Sequence, residues 1–152
     1  MIDLAHIHPM LVHFPLALLP VALTTQLVVL LRGGRLFDRS CGANAAIVLI
    51  VVTAATAIVA AVFGDVALDT AVSVGVPTVK LEAHEELGQL SAVVLIGLAL
   101  INGWFYRRGP SGPGISWASL AAGVAVLAVL LTTAWFGGHL VYDLGVNVAP
   151  PS

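Results

Sequence analysis

Charge is what this sequence lacks most. Only 9% of its 152 residues are Asp, Glu, Lys or Arg, against about 25% in an ordinary soluble domain. Hydrophobic residues make up 59%, and mean hydropathy is +1.04. A chain this poor in charge cannot cover a soluble surface, and almost no polar helix face remains for a water-soluble bundle. No basic residue precedes Arg32. A cleavable secretory signal opens on a basic segment, so the first apolar segment is expected to stay in place as an anchor. The single cysteine, Cys41, cannot form an internal disulfide, and the redox compartment is not readable from cysteines. No Cys-x-x-Cys-His run occurs, which excludes covalent haem attachment at such a site. A net charge of -2 argues against a nucleic-acid partner.

What is present is length without charge. Residues 10–31, 40–64, 87–106 and 109–142 are free of Asp, Glu, Lys and Arg. A helix crossing the hydrocarbon core needs about 20 apolar residues. The pattern predicts one domain, residues 1–152, made of four transmembrane helices at about 9–32, 42–65, 84–107 and 115–139. The fold class is all-α, an integral membrane four-helix up-down bundle. Arg32, Arg35 and Arg39 lie between the first two helices, and Arg107 and Arg108 between the last two; only Lys80 lies in the remaining loop. Basic loops stay cytoplasmic. The expected topology is N-out and C-out in a bacterial inner membrane, both termini in the periplasm or its equivalent.

The histidines then sort to one side. His6, His8 and His13 open the first helix, His84 opens the third and His139 ends the fourth. At 1.5 Å rise per residue, His84 lies about 34 Å above Arg107, and His13 about 28 Å above Arg32. His8, His13, His84 and His139 can therefore share one layer near the outer membrane surface. His6 precedes the helix and is expected to be solvated.

Local signals fill in the bundle. Pro9 suits a first helical turn with His8 as its N-cap, and Pro15 and Pro20 should bend the first helix. The segment 66–83, with Gly75 and Pro77, reads as a loop. Small residues stand at helical spacing in the second helix (Thr53, Ala57, Ala60, Gly64) and the fourth (Ala121, Ala125, Ala128, Thr132), as close packing in lipid requires. His84, Ser91 and Asn102 fall on one face of the third helix, with Asn102 read as interhelical glue. Trp104, Phe105, Tyr106, Trp117, Trp135 and Phe136 read as interfacial belts. No internal repeat stands out.

The segment His8-Pro9-Met10-Leu11-Val12-His13-Phe14-Pro15 resembles the opening signature of a bacterial membrane-protein family, domain of unknown function 2231. His84-Glu85-Glu86-Leu87-Gly88 and the tail from Gly137-Gly138-His139 to Gly145-Val146 resemble it too, so the likeness runs from His8 to about Val148. The resemblance implies a four-helix membrane domain and supplies no activity.

Three readings of the histidine layer follow. The first is b-type haem ligation in the bundle core. His13 and His84 would face each other across a porphyrin, His8 and His139 would hold a second haem or support the first, and Gly64, Gly88, Gly137 and Gly138 would leave room for the macrocycle. That role is electron transfer with a periplasmic redox carrier or a quinone. The second is a non-haem zinc, copper or iron site for transport or sensing, drawn chiefly from His13, His84, His139 and Asp65. Asp65, Glu85 and Tyr142 would orient the imidazoles in either case, although Glu85 also suits a helix N-terminus by charge alone. The third is structural: helix capping, lipid headgroups, or a partner subunit, including a second copy in a homo-oligomer. A binding or electron-transfer role fits better than a stand-alone enzyme, since Ser73 and Ser91 stand in no nucleophile elbow.

Overall fold

The computed structural model describes residues 7–146. It contains α1 (Ile7–Leu11), α2 (His13–Leu31), α3 (Cys41–Ser73), a 3-10 turn (Thr78–Lys80), α4 (Glu82–Arg108) and α5 (Pro113–Tyr142). There is no strand among the described residues. With α1 and α2 taken together, four spans are long and apolar enough to cross a membrane: Ile7–Leu31, Cys41–Ser73, Glu82–Arg108 and Pro113–Tyr142. His6 lies outside the described residues.

Proline explains where the first span breaks. Pro15 has no N–H to give the carbonyl of Leu11, and its ring crowds that carbonyl. The interruption falls at Val12, while Pro20 is carried inside α2. The second span runs eight residues beyond Asp65, through part of the expected loop. Residues 66–73 offer no Gly or Pro to stop it. It ends where Gly75 adopts φ +93°, with Val76 N–H bonded to Ala71 O and Gly75 N–H to Val72 O, the bond pattern of a Schellman stop. At 33 residues, α3 is about 50 Å long against a hydrocarbon core of about 30 Å. Its overhang is covered by a small second core of Ala71, Leu81 and Leu140 with Leu68, Val76 and Val146.

The main core is a ring of helices. α2 packs between α3 and α5, and so does α4. Leu19, Ile50 and Leu95 are fully buried at its centre. One end is closed by the 32–40 connection, whose Leu36 and Phe37 are fully buried. Leu36 N–H donates to Ser116 Oγ at 3.1 Å, and Tyr106 donates to Asn44 Oδ1 at 3.0 Å. Asp38 caps this turn by accepting from the N–H groups of Ser40 and Arg35, which holds its carboxyl below the ordinary value, the Ser40 bond most of all. The histidines lie at the opposite end.

The small-residue stripes divide. Thr53, Ala57 and Ala60 of α3 are buried as expected, but Ala121, Ala125, Ala128 and Thr132 of α5 are all exposed. The packed face of α5 is Ser116, Ser119, Gly123, Val126, Leu130 and Thr133. Small residues occur on both faces of α5, so their spacing alone could not choose between them.

The burial pattern also shows a repeat. Along α2 and α4 the buried positions pair at one constant offset: Pro15 with Ser91, Leu19 with Leu95, Ala22 with Leu98, Gln26 with Asn102. Along α3 and α5 they pair at another: Ala43 with Ser116, Ala46 with Ser119, Ile47 with Leu120, Thr53 with Val126, Ala57 with Leu130. The same offsets pair His8 with His84 and Phe63-Gly64 with Phe136-Gly137. The chain is two helical hairpins in one register, each entered from its histidine end, a parallel rather than an inverted repeat.

The two halves differ in one buried amide. Asn102 Oδ1 accepts from Ser119 Oγ at 2.7 Å, and its Nδ2 donates to Leu98 O. Asn102 is thus the interhelical tie that the sequence suggested. Gln26 is equally buried, yet its side-chain N and O bond nothing among the described residues. Its neighbour by register is Ala46, where the other half carries Ser119. An unsatisfied buried amide costs about 1–3 kcal/mol. Ala46→Ser should supply the missing hydroxyl and raise thermal stability in detergent by about 1 kcal/mol, while Ser119→Ala lowers it by a similar amount. An unchanged midpoint for Ala46→Ser would show that Gln26 is not turned toward that position.

Candidate functional site

At the histidine end two imidazoles cross from one helix to the next. His8, on α1, reaches α3, and its Nδ1 lies 2.8 Å from the backbone carbonyl of Ala60. It is therefore a bridge between spans and not the helix cap expected for it. His84, on the first turn of α4, reaches α5, and its Nδ1 lies 3.1 Å from the carbonyl of Thr133. A carbonyl oxygen only accepts, so each Nδ1 bears the proton and donates it. In the neutral ring this leaves Nε2 with a free lone pair.

Each ring rests on a glycine one turn past its carbonyl. A Cβ added to Gly64 would lie 3.2 Å from His8 Cε1, and one added to Gly137 only 2.8 Å from His84 Cε1. Thr133 secures the second crossing further, because its hydroxyl meets Ser91 Oγ at 2.8 Å and Leu87 O at 3.1 Å. Ser91 thus shares the inward face of α4 with His84 and Asn102, as the spacing indicated. The rings of His8 and His84 face each other across the bundle, centroids 6.2 Å apart and planes at 74°.

The other sequence candidates stand elsewhere. His13 is exposed, and its Nδ1 turns back to Pro9 O of its own helix at 2.6 Å. His8 and His13 are five residues apart, about 140° around a helix of 3.6 residues per turn, so a chain that turns one inward turns the other out. The imidazole opposite His84 is accordingly His8, not His13. His139 is also exposed, its Nδ1 paired with the Asp143 carboxylate. Its ring stacks on Trp135 at 9°. Asp65 is exposed, Glu85 accepts from Gln89 at 3.3 Å, and Tyr142 is 88% exposed. None of these three hydrogen-bonds a histidine among the described residues. No group of three or more His, Cys, Asp or Glu side chains comes together to hold a metal among the described residues, so the set His13, His84, His139 and Asp65 is not assembled. Gly64 and Gly137 do not open a slot either, because the imidazoles occupy that space.

Sequence reasoning missed the two carbonyls and the glycine seats. The available signal was the Phe-Gly pair at 63–64 and 136–137, each lying at a similar distance along the chain from its histidine.

A family model described as predicted membrane protein (DUF2231) matches residues 5–150. The chain belongs to this family. The match takes in both histidines of the facing pair, their glycine seats and all four spans, so the DUF2231 chain is a membrane protein whose apolar helices sit in a lipid bilayer. Neither the curated proteins nor the solved structures compared with it give a match.

The seats make a graded prediction for this DUF2231 chain. Gly137→Ala should destabilise it by about 1–3 kcal/mol, the usual cost of overpacking. Gly64→Ala should cost less, because its contact is looser. Thermal unfolding of the two variants in detergent checks the order, and equal, negligible losses would mean that the rings move aside freely.

Proposed function

We propose that this is an electron-transfer protein that holds one b-type haem between His8 and His84. The observation that carries the reading is a pair of inward imidazoles, equivalent by the repeat, with both Nε2 atoms left free and no third protein donor gathered beside them among the described residues. A structural zinc site takes four protein ligands, and a catalytic one takes three plus water. Two imidazoles suit a metal that brings its other ligands with it. A haem would bring its own nitrogen ligands and would need from the protein only imidazoles such as those of His8 and His84.

Haem bound there would supply one-electron chemistry at the membrane. The chain's own contribution is orientation. The carbonyls of Ala60 and Thr133 hold each Nδ1–H, which fixes the tautomer and strengthens Nε2 as a donor. The packed Gly64 and Gly137 seats keep each ring from rotating away.

The positive-inside rule supports an orientation for this reading. Arg32, Arg35, Arg39, Arg107 and Arg108 gather at the end opposite the histidines. In a bacterial inner membrane that end would be cytoplasmic, and the histidine end would face the periplasm, within reach of a periplasmic redox carrier or a quinone.

The test is a reduced-minus-oxidised absorption spectrum of protein purified from haem-replete cells. Sharp alpha and Soret bands are expected. His8→Ala and His84→Ala should each lose most of the Soret intensity, whereas His13→Ala and His139→Ala keep it. A folded, colourless wild type overturns the proposal. Retention of stoichiometric metal without a porphyrin spectrum would move the pair to the non-haem metal reading.

A further inference from the structure

The second hairpin carries chemistry that the first lacks. At the positions of His139 and Asp143 in α5 and just beyond it, the register of α3 places Val66 and Thr70. The His139–Asp143 pair is therefore not imposed by the repeat, nor is it part of the facing histidine pair. The Asp143 carboxylate accepts from Nδ1–H of His139, which leaves Nε2 as a hydrogen-bond and proton acceptor. The ring lies parallel to that of Trp135, at 9° with centroids 6.2 Å apart.

Beside it runs a groove of about 340 Å³ between the start of α4 and the end of α5, with Lys80, His84, Phe136, His139, Leu140 and Leu144 on its walls. Its size falls at the lower end of small-ligand sites, about 300–1,000 Å³. Its lining mixes an aromatic and two leucine side chains with one ammonium donor and two imidazoles, of which His139 offers an acceptor nitrogen. The surroundings discriminate among ligands. Asp143 sits on His139, and Glu82 and Glu85 stand in the first turn of α4, so a lone Lys80 does not make an anion site. The lining suits a neutral ligand with an aromatic head, an apolar tail, one hydroxyl to donate and one oxygen to accept.

We propose that this groove binds the head of a membrane hydroquinone. Its ring lies among Phe136, Leu140 and Leu144, one hydroxyl donates to His139 Nε2, and the oxygen at the other end accepts from Lys80. Asp143 positions the imidazole by accepting from its Nδ1–H. The redox meaning of the site rests on the electron-transfer reading above, but binding itself requires no haem.

The test uses the full chain, purified without haem in mild detergent, and a decyl-tailed benzoquinone with its hydroquinone as probes. Trp135 stacks on His139, so bound quinone should quench its fluorescence saturably. Trp135→Phe should remove the saturable part, although Trp104 and Trp117 remain. His139→Leu should weaken binding at least tenfold, Asp143→Asn and Lys80→Met several-fold, and His13→Ala should leave it unchanged. The hydroquinone should displace the quinone in wild type. Linear, unsaturable quenching, or equal affinity in His139→Leu, overturns the proposal. Displacement by phosphatidylglycerol but not by hydroquinone would make the groove a lipid site and overturn it as well. Saturable binding to a protein that never takes up haem would remove the haem reading and leave this one standing.

Discussion

Two backbone carbonyls, those of Ala60 and Thr133, govern the histidine end. Each takes the Nδ1 proton of an imidazole from the preceding span. That bond selects the tautomer, aims the ring across the bundle and leaves the other nitrogen free. It also sets the sequence around it, because a ring reaching a helix carbonyl must pass over the residue one turn on. At Gly137 a methyl group would collide with it, and at Gly64 it would crowd it. Carbonyl, glycine and histidine form one unit, and the chain contains it twice.

The bundle itself was legible in composition. Charge-free stretches gave the four spans, because a bilayer excludes charge over a known thickness. Their ends were harder. Residues 66–73 are compatible with helix and carry no breaker, so α3 continued until Gly75 closed it. Position along the chain showed that His8, His13, His84 and His139 share one end, but not which of them turn inward. Asn102 was readable as glue because an amide in mid-membrane needs a partner, and Ser119 is one. The carbonyls of Ala60 and Thr133 were invisible, since every residue has one and only tertiary packing brings it to an imidazole.

The repeat escaped the sequence for a related reason. What the hairpins share is the register of burial rather than residue identity: Pro15 answers Ser91, Ala22 answers Leu98, and Ile47 answers Leu120. Apolar residues exchange freely inside a lipid-embedded core if volumes are compensated, so resemblance survives mainly where geometry forbids exchange. Identical residues include His8 with His84 and the Phe-Gly pairs at the crossings, beside scattered apolar identities such as Leu19 with Leu95. Where the halves have parted, the differences are chemical. One half pairs its buried amide and the other leaves Gln26 bare among the described residues; one half ends in His139 and Asp143 and the other in Val66 and Thr70.

That divergence gives the facing histidines a freedom that two identical subunits would lack. In a homodimer a single substitution alters both sides of a central site together, and the two ligands stay equal. Here the hairpins are joined by residues 74–81 in one chain. His8 is seated loosely on Gly64 and His84 tightly on Gly137, with Ser91 and Thr133 bracing only the second. The two crossings are built unequally, an inequality that descent in a single chain can adjust one side at a time.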